Sequence, residues 1–244
     1  MQCKVIGMWG GFPKDTPCSG YLITHNEKSI LLDCGSGVLT SIQQFIDLNN
    51  IHDVILSHYH YDHYSDIGVY LFSRLINTKL KIVDLPLNIY GPENSDFEKQ
   101  VGEVEFSKFN VYDEKAIIQI GDFNISFLKN IHPIKSYSIK VECDKKTLVY
   151  TSDTSYNEEL VSFAKDADIL IAECSLYEGM DGKEAGHMNA KETGILAYKT
   201  NAKQVVLTHL PHYGNLEDLL ESAKSQGNLN IKLAEAGVVI KMLD

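Results

Sequence analysis

The chain of 244 residues contains a single arginine, Arg74, so a bidentate guanidinium clamp on phosphate can come from one position only. Basic residues are outnumbered, 22 against 33 acidic, and the formal charge is −11. Long nucleic acids bind through many cationic contacts and counterion release, so a general nucleic-acid coat protein is excluded. No window approaches the ~18 consecutive apolar residues of a membrane span, and no membrane partner is expected. The first residues, Met-Gln-Cys-Lys-Val-Ile-Gly, build no long apolar core before Lys14, so no secretion signal is expected. Cysteines are few and scattered: Cys3, Cys18, Cys34, Cys143 and Cys174 are odd in number and form no C-x-x-C pair. That pattern gives neither a disulfide framework nor a zinc ribbon. The thiols read as small buried hydrophobes in a reducing, cytoplasmic compartment. Glycine and proline, 17 and 6 in number, are too sparse for a disordered or fibrous chain.

What is present is the composition of a folded domain, 44% hydrophobic and 23% charged. Short apolar runs read as strands at Lys4–Met8, Tyr21–His25, Ser29–Asp33, Asp53–Ser57, Lys81–Asp84, Ala116–Ile120, Phe123–Lys129, Tyr137–Glu142, Thr147–Thr151, Asp168–Ala172, Gln204–Thr208 and Gly237–Ile240. Gly121-Asp122 is a two-residue hairpin signal, and Asp144-Lys145-Lys146 is a second tight connection. Helical spacing at Val38, Leu39, Ile42, Phe45 and Ile46 marks one helix. Others are expected at Ser65–Asn77, Tyr156–Lys165, Ala190–Thr200 and Leu216–Gln226, with Asn94–Gly102 a further candidate after a Gly91-Pro92 turn. Asn189 and Glu192 form a capping-box pattern, and Asn215 with Asp218 a weaker one. Each half starts with strands and then mixes strands with helices, which predicts an α/β protein of two packed sheets with helices outside. No linker or repeat divides residues 1–244, so one domain is expected.

The chemistry concentrates in Ser57-His58-Tyr59-His60-Tyr61-Asp62-His63, directly after the apolar strand Val54-Ile55-Leu56. Residues two apart in extended chain point to one side, so His58 and His60 can converge on one ion. Asp62 and His63 fall past the strand end and can turn toward a second. Imidazole and carboxylate are ligands of zinc and similar borderline metals. Equivalent residues follow other strands: His132 after Phe123–Lys129, Asp153 after Thr147–Thr151, and His209 after Gln204–Thr208. Ligands gather at the carboxyl ends of strands.

With Leu31-Leu32-Asp33-Cys34-Gly35 upstream, the H-x-H-x-D-H run and its downstream partners resemble the metallo-β-lactamase superfamily. Within it, four segments are similar to the ribonuclease Z-like branch: Tyr150–Thr154, Ala172–Ser175, Gly186–Gly194 and Leu207–Leu210. The resemblance runs over essentially the whole chain. It implies a four-layer αββα metallo-β-lactamase sandwich with two divalent ions, usually Zn2+, with Mn2+ the other choice. Carried over, His58, His60 and His132 would hold one ion, Asp62, His63 and His209 the other, and Asp153 would bridge them. Two cations about 3.5–4 Å apart can generate a hydroxide and neutralise charge developing on a phosphoryl oxygen. Asp62 is the candidate for orienting that nucleophile. In the resembled branch the residue matching His187 helps protonate the leaving oxygen, and Glu173 could fix its tautomer. A homodimer is also implied.

The sequence departs from that branch in one respect. Transfer-RNA-trimming members carry a long arm between the third histidine and the bridging aspartate, whereas here residues 133–152 are only 20 and are filled by one hairpin. The expected reaction is therefore hydrolysis of a small phosphodiester, such as a cyclic or short nucleotide, with His187 as general acid. Tyr59, Tyr61, Tyr64, Tyr137 and Tyr213 either stack on a base or pack the pocket walls. Trp9-Gly10-Gly11-Phe12-Pro13 is a loop whose glycines permit close approach to a ligand. His25 and His52 read as structural or surface, and His212 as a pocket-lining candidate. Two alternatives stand beside this one: a thioester, lactone or other ester hydrolase on the same fold, and a non-catalytic metal-binding protein.

Overall fold

The computed structural model describes residues 1–242. Its first half builds one sheet from β1 (Gln2–Gly7), β2 (Gly20–His25), β3 (Lys28–Leu32), β4 (Asp53–Ile55), β5 (Leu87–Pro92) and β6 (Ser107–Tyr112). The second half builds another from β7 (Ile117–Ile120), β8 (Phe123–Lys129), β9 (Tyr137–Cys143), β10 (Lys146–Tyr150), β11 (Ile169–Glu173), β12 (Gln204–Thr208) and β13 (Ile231–Leu233). A final strand, β14 (Val239–Lys241), returns to pair with β1, giving the orders β14-β1-β2-β3-β4-β5-β6 and β7-β8-β9-β10-β11-β12-β13. Each sheet is antiparallel over its hairpin-linked strands and parallel where helices intervene, from β3 to β6 and from β10 to β13. Short turns can join only antiparallel neighbours, and parallel ones need a crossover.

The two sheets face each other across one apolar layer. Tyr21, Ile23, Ile30 and Leu32 of the first sheet meet Phe123, Ile125, Ile139, Val141 and Leu148 of the second, all buried. The outer face of the first sheet is covered by α1 (Val38–Ile42) and α3 (Ile67–Lys79), with α4 (Ser95–Gly102) near its edge; α2 (Tyr61–Tyr64) is a single turn before α3. Helices α5 (Glu158–Phe163), α6 (Ala190–Thr200) and α7 (Leu216–Lys224) cover the second through Leu160, Leu196, Leu219 and Leu220. Each large side chain so buried contributes about 1.5–3 kcal/mol. The expected αββα sandwich is what forms.

Local signals hold in most places. Asn189 and Glu192 make a full capping box on α6, while Asn215 caps α7 through the Glu217 amide. Gly121-Asp122 joins the paired residues Ile120 and Phe123. The second hairpin is tighter than expected: Lys146 pairs with Cys143, leaving Asp144 and Lys145 at φ 50° and 61°, the signature of a type I′ turn. Three expectations fail. Lys81–Asp84 is a turn and not a strand, because Lys81 reverses the chain at φ 61° after α3. Gly91-Pro92 does not turn; it ends β5, where Pro92 needs no ladder N–H and its carbonyl accepts the Tyr59 hydroxyl at 2.6 Å. Strands β5, β6 and β13 have no counterpart among the expected ones; β6 carries the polar mixture Ser-Lys-Phe-Asn-Val-Tyr of a half-exposed sheet edge. Among the described residues no helix is long and apolar enough to cross a membrane.

Candidate metal centre

Strands β3, β4, β8, β10, β11 and β12 all end at one edge of the sandwich, and each hands a polar residue to it. After β4 the chain stays extended to His60 (φ −78°, ψ 143°) and then enters α2. That switch aims the two halves of the histidine run differently. His58 Nε2 and His132 Nε2 each lie 3.1 Å from His60 Nδ1. On the other side, Asp62 Oδ2 lies 3.0 Å from His209 Nε2 and 3.5 Å from His63 Nε2. Asp153 stands between the groups, with Oδ2 3.5 Å from His58 Nε2 and 3.4 Å from His209 Nε2, and Oδ1 3.4 Å from His63 Nε2. The donor atoms of His58, His60, His132 and Asp153 all fall within 4.8 Å of one another, as do those of Asp62, His63 and His209.

The donor set fits divalent ions. His63 Nε2 and Asp153 Oδ1 are buried with no hydrogen-bond partner, and a buried polar atom left so needs another partner. Burial and the nearby His63 push the His58 pKa down to about 4, and burial also lowers His60 and His132. Those rings are therefore neutral at pH 7, the form with a lone pair to give. Burial disfavours charge on Asp62 and Asp153, yet the surrounding imidazoles outweigh it and hold both carboxyls well below the usual range.

Outer partners fix the rings. His132 Nδ1 donates to the Gly186 carbonyl at 3.0 Å, which leaves Nε2 as the free nitrogen. Only glycine fits there, since a Cβ on Gly186 would stand 2.6 Å from His132 Nδ1. Buried Asp33 accepts His63 Nδ1 at 2.7 Å, the Ser57 amide at 2.7 Å and the Tyr150 hydroxyl at 2.8 Å. Ser175 places its hydroxyl 2.8 Å from His209 Nδ1 and donates to Glu173. Asp33, His209 and Ser152, whose hydroxyl lies 3.3 Å from His58 Nδ1, take left-handed φ of 56°, 53° and 51°. Such strain, about 1–3 kcal/mol each, collects at functional sites. In the sequence Asp33 and Ser175 stand only as parts of motifs, with no role of their own. Asp33 was findable as the acidic residue closing an apolar strand beside β4; nothing marked Ser175.

His187 donates no atom to the two main groups. Its Nδ1 is 3.1 Å from Glu173 Oε1, and its ring lies 5.4 Å from that of His132 and 5.3 Å from that of His209. Burial works against its charge, but the Glu173 carboxylate outweighs it and raises the pKa to about 9. Glu173 is fully buried and also accepts the Thr154 amide at 2.7 Å.

The remaining candidates separate clearly. His25 ends β2 at the opposite edge and pairs with Asp144 at 3.0 Å. His52 faces Arg74 Nη1 at 3.0 Å. Arg74 is 1% exposed and donates to the carbonyls of Ile51 and Leu85, so the lone guanidinium is no phosphate clamp. Tyr59 and Tyr64 pack on Phe97, and Tyr137 packs on Tyr112. Tyr61 and Tyr213 are exposed. His212 is sandwiched between Trp9 and Phe12.

A profile of the family described as anti-Pycsar protein Apyc1 matches residues 1–236, and the chain belongs to that family. It is 38% identical over 242 residues to the probable metallo-hydrolase YhfI of Bacillus subtilis, covering 98% of this chain and 99% of that one. The crystal structure of YhfI, a metallo-β-lactamase fold protein, superposes with a TM-score of 0.95 at 36% identity over 98% of each chain. Human tRNase Z, short form, shares the fold at a TM-score of 0.79 and 22% identity, each chain covered in full. A diphosphatase from the PhnP family does so at 0.77 and 16%, over 98% of this chain and 96% of that one. The fold is that of the metallo-β-lactamase superfamily, and the short-form tRNase Z shares it.

Proposed function

We propose that this metallo-β-lactamase-fold hydrolase is a two-ion phosphodiesterase acting on a small phosphodiester of nucleotide type. His58, His60 and His132 would hold one divalent ion, Asp62, His63 and His209 the other, with Asp153 shared and Zn2+ the leading choice over Mn2+. Such an ion pair supplies an activated water and neutralises charge on the phosphoryl oxygens. Asp62, which accepts the Gly11 amide at 2.7 Å, would orient the attacking water.

The observation that carries the reading is His187. It is an imidazole beside the centre that neither main ligand group needs, with Nδ1 3.1 Å from the buried Glu173 carboxylate, which favours its protonated form. That leaves Nε2–H to hold a proton for a departing alkoxide. A phosphodiester has a poor leaving group and needs this proton, and general-acid catalysis contributes about 10²–10⁴-fold. Thioesters and activated lactones need it far less.

A small substrate follows from the chain between His132 and Asp153, which is taken up by β9, β10 and their two-residue turn and projects no arm. The buried arginine adds to that reading. Five buried, unpaired cysteines support a reducing, cytoplasmic setting, and a homodimer belongs to the same proposal, to be read by light scattering. The test is hydrolysis of a diester with a sugar alkoxide leaving group, thymidylyl-(3′→5′)-thymidine, by Zn2+- or Mn2+-loaded protein beside His187→Ala, with bound metal measured in both. Turnover in the wild type and at least a hundredfold loss in the variant, both ions retained, is expected. A fully loaded but inert wild type would overturn the proposal and direct the search to thioesters and lactones.

A further inference from the structure

Three aromatic rings form a continuous stack beside the centre. Trp9 is buried and lies 5.1 Å from His212 at 24°. His212 in turn lies 3.7 Å from Phe12 at 6°, nearly parallel. Both faces of His212 are thus used, while Phe12 ends the stack and is 61% exposed. An exposed phenyl ring in water is unfavourable, and here it is also held still. The Phe12 amide donates to the Gly10 carbonyl at 2.9 Å, and His212 Nε2 donates to the same oxygen at 2.9 Å. The Gly10 amide donates to Leu210, and Pro13 follows Phe12 and restricts it.

The loop is also fastened to the reaction centre. The Gly11 amide donates to Asp62 Oδ2, and Gly10 passes so close to His209 that a Cβ there would stand 2.6 Å from the ring. Phe12 is therefore one residue from a backbone N–H that touches a proposed metal-binding carboxylate. A ring fixed at that distance, with one face stacked and the other open, is the geometry of a stacking platform. Its ordering cost is met in the free protein, so little is lost when a flat ligand lands on it.

We propose that Phe12 is the platform on which the heterocyclic base of a nucleotide substrate stacks while its phosphodiester lies over the metal centre. The proposal rests on the phosphodiesterase reading and adds how the site selects a nucleotide. Every base has a π-face, and stacking on an aromatic side chain reads that face without reading the hydrogen-bonding edge. The platform therefore favours nucleotides over base-free diesters and tolerates purines and pyrimidines alike.

Two p-nitrophenyl diesters with the same leaving group test it: the ester of thymidine 5′-phosphate and the methyl ester. Phe12→Ala is expected to lower the kcat/KM ratio of nucleotide to methyl ester by about five- to 100-fold, chiefly through KM, and Phe12→Trp to restore it. A ratio unchanged in Phe12→Ala, or both esters lost in equal proportion, would overturn the proposal. Trp9 is the chain's only tryptophan and reports on the stack directly. Thymidine 5′-phosphate should alter its emission in metal-loaded wild type, ribose 5-phosphate should not, and Phe12→Ala should abolish the response. If the loaded wild type cleaves neither ester, the phosphodiesterase reading is what fails. The fluorescence arm then decides the platform alone, and an equal response to both phosphates would end it.

Discussion

Asp33 Oδ2 and His63 Nδ1 lie 2.7 Å apart, both fully buried, and this contact fixes which nitrogen of His63 faces the centre. With the proton on Nδ1, Nε2 points at Asp62 and Asp153 as a free donor. A carboxylate behind a ligating imidazole raises its basicity, and loss of such a partner typically lowers metal affinity 10–100-fold. Asp33→Asn keeps the shape and tolerates the left-handed φ of 56°. Its affinity for the ion at Asp62, His63 and His209 should fall within that range in a chelator competition, while the ion at His58, His60 and His132 stays. Wild-type affinity at both sites would remove Asp33 from the centre.

Among the described residues Asp153 is the one carboxylate within 3.5 Å of imidazoles from both groups. Asp153→Ala is expected to lose tight binding of both ions and, with it, activity below detection. Metal analysis after dialysis checks the first and the diester assay the second. Two ions retained at wild-type affinity would show that the groups are independent.

The metal run was legible because its geometry is local: extended backbone through His60, then one helical turn, separates two pairs of ligands within six residues. His132, Asp153 and His209 were legible because each directly follows a strand with a clear apolar pattern. Asp33 and Ser175 act through residues 30 and 34 positions away, and only the packing of β3 beside β4 and of β11 beside β12 brings them together. The same limit hid β6, a mixed polar edge strand whose partner, β5, supplies the order that its own sequence does not. The loop Trp9–Pro13 was flagged by its glycines, but the ring stack with His212 spans 200 residues of sequence and leaves no local trace.

Arg74 is a buried cation whose partners are backbone carbonyls and the His52 ring. Its Nη2 donates to Ile51 at 2.7 Å and its Nη1 to Leu85 at 2.7 Å, stitching the chain before β4 to the loop before β5. Arg74→Ala leaves those carbonyls short of a donor and opens a cavity, for an expected loss of about 3–4 kcal/mol in stability. Arg74→Lys should recover only part, because one ammonium cannot reproduce the fork. Denaturant midpoints check this, and the metal content of folded protein should not change. A loss under about 1 kcal/mol would mean that water replaces the guanidinium.

Asp168 supplies the pH dependence of stability that is easiest to isolate, being far from the metal centre. It accepts Lys203 Nζ at 2.7 Å and the Thr147 amide at 2.8 Å, with Lys146 Nζ at 3.9 Å. Burial alone would raise its pKa, but these donors outweigh burial and lower it below the ordinary 3.8. The unfolded chain then binds this proton more readily than the folded one, so the contribution is fully present above about pH 4 and fades as pH falls through the depressed value. Lys203 is half exposed, so solvent screening keeps the ion pair modest. Asp168→Asn is expected to lower stability by about 1 kcal/mol at pH 7. Because the variant lacks the titrating group, the gap between it and wild type should narrow in acid. Urea melts at pH 7, 5 and 3.5 measure that gap, and one that stays constant or widens toward pH 3.5 would show that the carboxylate's charge is not what Lys203 and Thr147 hold.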